Sequence, residues 1–485
     1  MFQRLFTFLF GPSTPATPVT ATPRQPAPAP APAPVAAAPV QRRQNVSATS
    51  PEQQAGTSAE PGFVARRPLI GRRGEIAGFE FRLDDAATWS ILNSGNDFTE
   101  ATFATALFSS MRAAAVSGRL AFASVPTTML MRPGVVTECV PGMLVCVLPG
   151  DAASDGPLQR QALEERVNEL RGRGVKIGWP AGWLASNSAR PAADFVLLQY
   201  VSGAIEGLVE SGRQWRRAMP DAMLIATDIA SIGDLEIAVR GGIALSSGTM
   251  SRSISEREQA KGRKLEPQQM RLFKLLNDLV LDADATRLAD QLKGDVVLSY
   301  RLIRYANSAA LGLSRSIDSI PQALLLIGRN ELYRWVSVML IHSASDRTLS
   351  GALQEISLSR ARLLELLARA RAIDPPDGLF TVGMFSMLDA MLQMPIADAL
   401  EPLNLPPQAR RALVEGDGPW KPYLDLVRAL EWADAASIAR HAATLQIPLP
   451  VVWKLNDDAA RWAQNALTLP DSDTPVGLAT RPAAG

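Results

Sequence analysis

The stretch Leu292-Lys293-Gly294-Asp295-Val296-Val297-Leu298-Ser299-Tyr300-Arg301-Leu302-Ile303-Arg304-Tyr305-Ala306-Asn307-Ser308-Ala309-Ala310-Leu311-Gly312 decides how the second half of the chain is read. Leu298, Leu302 and Tyr305 recur every three or four residues, with Arg301 and Arg304 between them, which is the pattern of a two-faced helix. Asn307-Ser308 suits a helix end, where short polar side chains bond to free backbone groups. Downstream, Ser316-Ile317-Asp318-Ser319 offers a new helix start just before Pro321. Helical spacing continues on both sides of this stretch. Leu272, Leu275, Leu276 and Leu279 share one face of residues 270–280. Leu363, Leu364, Leu366 and Leu367 do the same in residues 359–372, with arginines opposite. β-Branched alternation is nearly absent. An all-helical domain is therefore expected over residues 256–470, followed by a small, polar, frayed tail at 471–485.

Toward the N-terminus the pattern changes. In residues 61–255, short β-rich runs alternate with helical stretches. Leu69-Ile70 and Gly78-Phe79-Glu80-Phe81 flank Arg72-Arg73-Gly74, a hairpin-like turn. Buried strands are expected at 120–125, 143–148, 175–179, 195–200, 223–226 and 242–245, with helices at 157–171 and 202–218. Repeated βα units imply a mostly parallel sheet, and this many in one domain imply a (β/α) barrel, complete or short of closure. The fold class is thus α/β plus all-α. Residues 251–264 form a charged bridge between the two parts, as a helix extension or a linker.

The first sixty residues differ again. Residues 11–60 are dominated by Pro, Ala, Thr and Ser, a composition expected to form a disordered, semi-rigid linker. Ahead of it, Met1-Phe2-Gln3-Arg4-Leu5-Phe6-Thr7-Phe8-Leu9-Phe10 is short and aromatic, and lacks a signal-peptide cleavage pattern. It suits a frayed end, an interfacial membrane anchor or a peptide that docks to a partner.

Bulk composition narrows the function classes. The chain has 485 residues, a formal net charge of +1 and 47% apolar residues. That leaves ample material for cores and no basic footprint for nucleic acid. The two cysteines, Cys139 and Cys146, lie in apolar surroundings, which points to buried thiols in a reducing compartment. With only two histidines, His342 and His441, a site built on several imidazoles is disfavoured. No apolar run is long enough to span a bilayer, so a cytoplasmic location is expected, with residues 1–10 available for the inner membrane.

The quoted stretch closely resembles the HDOD signature, a DPxLSxRLLRxANSAxxG type of sequence. The following Ser316–Ala323 and Leu325-Leu326-Ile327-Gly328 resemble its next segment, and the resemblance covers about residues 265–460. HDOD domains look like relatives of HD-type phosphohydrolases that have lost the metal site. Where such a relative places His-Asp, this chain has Ser386-Met387, neither of them a strong ligand for a hard cation. The run Gly383-Met384-Phe385-Ser386-Met387-Leu388-Asp389 is itself similar to proteins that pair an EAL-type domain with HDOD. The resemblance then implies that residues 61–255 are a degenerate EAL-type barrel, whose active relatives cleave cyclic di-GMP with two carboxylate-bound metals.

Aligned on that family, Glu80 in Glu80-Phe81-Arg82 is kept. The family's Asn falls near Ala123, its next Glu near Cys146, and its Asp pair on Pro180-Ala181. Its Lys-x-Asp falls on Leu197 and Gln199, with Asp194 kept just before them. A later Glu pair falls near Thr227 and Ala230, and its Gln near Ser247, with Gly248 kept. The residual positions are therefore Glu80, Asp194 and Gly248, too few hard oxygen ligands for two metals. No catalytic residue, cofactor or metal is expected.

The expected function is a non-catalytic signalling adaptor that binds other proteins in cyclic di-GMP-linked regulation. Arg301, Arg304, Asn307 and Ser308 are its candidate partner contacts. The alternative is a receptor that binds cyclic di-GMP or another nucleotide without cleaving it, with Arg82 and Arg119 as the nearest candidates for phosphate. Other chemistry finds no support. The chain has no Walker loop, no Gly-x-Ser-x-Gly and no zinc spacing. The arginine clusters at 213–217 and 360–371 read as solvated faces. Trp420, Trp432, Trp453 and Trp462 read mainly as packing residues.

Overall fold

A computed structural model describes residues 64–83, 97–149, 157–186, 191–259, 262–307, 317–344, 347–373, 376–432 and 434–467. The expectations for residues 1–60, for Ser308 and for the tail 471–485 lie outside the described residues.

Eight strands close into a barrel in sequence order. They are β1 Val64–Gly71, β2 Ile76–Leu83, β3 Leu120–Pro126, β4 Met143–Leu148, β5 Lys176–Pro180, β6 Phe195–Leu198, β7 Met223–Ile229 and β8 Leu245–Gly248. β1 runs antiparallel to both its neighbours, β2 and β8, and every other pairing is parallel. Strands such as Met143–Leu148, MLVCVL, are apolar on both faces, as a barrel strand covered by helices must be. The hairpin between β1 and β2 turns at Gly74, whose φ of +73° a side chain would strain. The covering helices include α1 Asp97–Val116, α2 Pro157–Gly172, α3 Ile205–Ala218 and α4 Ile232–Arg240.

The open question of closure is answered by β1 and β8. Residues 242–245 were expected to be a strand, but β8 begins at Leu245 and continues through Ser246, Ser247 and Gly248. Gly241 caps α4 and Gly242 turns with φ +87°, so the strand starts only once the chain has left the turn. Ser-Ser-Gly has low strand propensity; it is a strand here because β7 and β1 flank it on both sides.

The helical region contains α5 Pro267–Val280, α6 Ala285–Lys293, α7 Val296–Ala306, α8 Ile320–Ile327, α9 Arg329–Ser343, α10 Ser350–Ala370, α11 Asp377–Phe385, α12 Lys421–Trp432, α13 Ala435–Thr444 and α14 Leu449–Leu467, with shorter helices between them. Their starts follow local chemistry. The Asp284, Asp295 and Asp434 side chains each accept a hydrogen bond from the backbone N–H three residues on. α8 starts after Ser319 with Pro321 in its first turn.

This region seats on the barrel at β1, β2 and α4. Ala352 N–H donates to the Gly74 carbonyl at 2.9 Å. Arg119 pairs with Glu355 at 2.6 Å, and Arg66 pairs with Asp457 at 3.0 Å. Arg347 forks onto both oxygens of Glu236 at 3.0 Å each. The charged bridge after β8 contains a helix, Ile254–Gln259. Just ahead of it, Arg252 donates to the Met394 carbonyl at 2.8 Å and the Glu256 carbonyl at 2.6 Å.

Candidate functional site

The barrel interior is a plug. Leu69, Phe122, Leu144, Cys146, Phe195, Ile225 and Leu245 pack together inside it. Side chains two residues along each strand share this inward face. Toward the C-terminal ends, where (β/α) barrels carry their sites, those positions are Glu80, Arg82, Ser124, Pro180, Leu197 and Ser247, with Arg67 on β1. The pairings Arg67 with Glu80 and Leu69 with Ser247 place these residues side by side.

Glu80 is 4% exposed and accepts a short hydrogen bond from Ser247 Oγ. Burial raises its carboxyl above the usual range, and Arg82 at 4.0 Å and the Ser247 bond offset this only in part. Beside it, Arg82 is ion-paired to Asp228, which also takes Arg67 Nη1 at 2.8 Å. Burial acts to raise the Asp228 carboxyl, but Arg82 and then Arg67 outweigh it and hold it below the ordinary value. Arg67 further donates Nη2 to the Trp432 carbonyl at 2.8 Å, which ties the end of α12 to the barrel rim. Asp228 itself has φ +60°, at the irregularity where β7 pairs with β8.

The donors among the described residues do not fit two hard cations. Among the described inward positions only Glu80 is a carboxylate. The others are two hydroxyls, two guanidinium groups and apolar side chains. Cys146 accompanies Ser124 on the inward face, and burial pushes its thiol up to about 12, so it is not a thiolate. Among the described residues no three His, Cys, Asp or Glu side chains are grouped to hold a metal ion.

The other residues singled out from sequence sit elsewhere. Asp194 precedes the first residue of β6, at the opposite end from Glu80. Its Oδ2 accepts from Ile177 N–H at 2.8 Å and Arg171 Nε at 3.1 Å, so it joins β5 to β6. Gly248 closes β8, where a Cβ would strike the Ile229 carbonyl. Arg119 lies ahead of β3, bonded to Glu355, and takes no part in the mouth. Ala123 packs outward among the helices, and Ser124 is the inward residue of that strand. Sequence reading passed over Arg67 and Asp228. An alternation count from Leu69 back to Arg67 would have found the first; the second depends on a backbone irregularity that no pattern marks.

In the helical region, Asn307 is the C-cap of α7. It bridges to the next segment: Nδ2 donates to the Ile317 carbonyl, and Ile317 N–H donates to Oδ1, both at 2.6 Å. That is a structural clasp. Arg301 and Arg304 are half-buried on α7, and the Arg304 guanidinium lies 5.6 Å from the Tyr300 ring centre. His342, half-buried on α9, has its imidazole lowered to about 4 by burial and then by Arg301, against a bond with Gln354. At the Ser386-Met387 step, Ser386 Oγ accepts a hydrogen bond from Arg360 Nη1 at 3.0 Å. Arg360 is itself forked onto Glu431 at 2.6 Å through both contacts. A guanidinium thus occupies the ground between α10, α11 and α12.

A closed eight-stranded barrel joined to a mostly helical region defines a two-part (β/α)-barrel protein. Residues 265–398 match the HDOD domain model. The uncharacterized protein YuxH of Bacillus subtilis (strain 168) is 25% identical over 419 residues, covering 84% of this chain and 98% of that protein. The cyclic di-GMP phosphodiesterase CdgJ of Vibrio cholerae serotype O1 is 29% identical over 282 residues, covering 52% of this chain and 64% of that protein. An EAL domain protein from Listeria monocytogenes of known structure aligns with 10% identity and a TM-score of 0.31, covering 40% of this chain and 92% of that one. The chain thus joins a closed (β/α) barrel to a region that matches the HDOD domain, the arrangement that its resemblance to EAL–HDOD proteins implies.

Proposed function

We propose that this chain is a non-catalytic signalling adaptor, which presents a barrel and an HDOD domain to protein partners in a cyclic di-GMP-linked pathway. The observation that carries the reading is the barrel mouth. Among the described residues its one inward carboxylate, Glu80, is buried and bonded to Ser247, and its neighbours Arg67 and Arg82 share the single carboxylate of Asp228. Two-metal phosphodiester cleavage needs several hard oxygen ligands around an open position. CdgJ is named for such an activity; this chain matches about half its own length to that protein, and the donors at its mouth do not support the same chemistry. Partners bind through the barrel–HDOD body, and residues 1–10 supply a second attachment to a partner or to the membrane, which raises the effective concentration of each contact.

The test is incubation of the purified full chain with cyclic di-GMP and magnesium or manganese, with chromatography of the products and calorimetric titration alongside. No linear product and no saturable heat is the expected result. Steady release of linear dinucleotide overturns the reading. Saturable binding without product replaces it with a receptor in which Arg67 and Arg82 exchange Asp228 for phosphate.

A further inference from the structure

Among the described residues, two adjoining helices of the HDOD region carry exposed apolar side chains. On α7, Val296, Val297 and Tyr300 are 81%, 56% and 59% exposed, and on the adjoining α8, Leu325 is 81% exposed and Leu326 40%. Residues 296, 297 and 300 share one side of their helix. Arg304 lies over the Tyr300 ring at the edge of that side. Exposed valines and leucines scattered singly need no explanation, but a cluster on two neighbouring short helices marks a contact surface.

We propose that this face is the seat of the chain's own aromatic N-terminus, residues 1–10. The segment carries Phe2, Leu5, Phe6, Phe8, Leu9 and Phe10 with one charged side chain, Arg4. Phe2, Leu5, Phe6 and Leu9 fall at helical spacing, the spacing by which a short helix fills an apolar groove. It is joined to β1 by residues 11–63. At about 3.1 Å per residue for a Pro-rich chain, those residues reach well over 100 Å, whereas a body of this length has a radius of gyration of only about 21 Å. The tether therefore sets no bar to the contact. A second copy of the chain fits less well. Helices of 11 and 8 residues offer roughly 300 Å² at a rise of about 1.5 Å per residue, below the ~800 Å² per partner of a stable dimer. The seat would be vacated when a partner takes either the face or the segment. The inference stands apart from whether the barrel cleaves a nucleotide.

The experiment places a photoreactive benzoylphenylalanine at position 6 of the full chain. The protein is irradiated as an equal mixture of heavy- and light-isotope chains, and crosslinked peptides are read by mass spectrometry. Crosslinks within one chain, to peptides holding residues 296–304 or 325–326, are expected. The Val296→Asp/Tyr300→Asp variant should lower their yield about tenfold, the equivalent of 1.4 kcal/mol, with its thermal melt unchanged. Heavy-to-light crosslinks as the main product would assign the face to a second copy and overturn the proposal. So would crosslinks elsewhere on the body, yields that the variant does not change, or yields no higher than with the probe at position 30.

Discussion

At the scale of the residue, Glu80 shows how the barrel holds a buried carboxyl. Its carboxyl is raised by burial and bonded by Ser247, so it behaves as a buried polar group that needs a partner rather than as a ligand. Ser247→Ala should cost about 1–3 kcal/mol in urea denaturation, because it strips a buried acceptor of its donor. Glu80→Gln should cost less than half as much, since the amide oxygen still accepts from Ser247. Equal losses for the two variants would mean that the Glu80 charge, not the hydrogen bond, holds the mouth together. Glu80 was legible in sequence as a residual position, while its bond to Ser247 joins residues 167 apart in the chain and depends on β8 lying next to β1.

At the scale of the element, α10 and α11 show what a glycine in a signature is for. Gly383 faces the backbone of Arg360 and Ala361 so closely that a Cβ would overlap it. The close approach also sets Ser386, one turn on, against the Arg360 guanidinium. Gly383→Ala should therefore destabilise the protein by about 1–3 kcal/mol, as overpacking does. A thermal melt reads the loss, and an unchanged melting temperature would show that the two helices can slide apart freely. The helical character of residues 350–370 was readable from leucine spacing, yet the helix begins nine residues earlier than expected. Ala352 to Leu358 is buried all round, against the barrel hairpin and its own domain, and a helix buried on every side has no amphipathic period to read.

At the scale of the whole molecule, barrel and helical region are joined by buried arginines: Arg119 to Glu355, Arg347 to Glu236, and Arg252 to backbone carbonyls. Losing one partner of such a pair leaves a buried charge uncompensated. Arg347→Ala should cost up to about 3–5 kcal/mol, softened by Arg240, which also reaches Glu236 at 3.3 Å. It should also split one calorimetric unfolding transition into two, as the helical region loosens from the barrel. A single transition at the original temperature would mean that apolar packing alone couples the halves.

The sequence by itself determined the element types, the barrel followed by an all-helical domain, and an HDOD resemblance over about residues 265–460, of which the HDOD domain model matches 265–398. All of these depend on local periodicity and on one long motif, which are properties of neighbouring residues. Only the tertiary structure decided that the barrel closes, because closure depends on β1 meeting β8 across the whole domain. It alone placed Asp194 at the far end from Glu80, and gathered Arg67, Arg82 and Asp228 at the mouth. Pairings between distant strands and backbone irregularities such as the one at Asp228 leave no periodic trace, because register, not composition, brings those charges together.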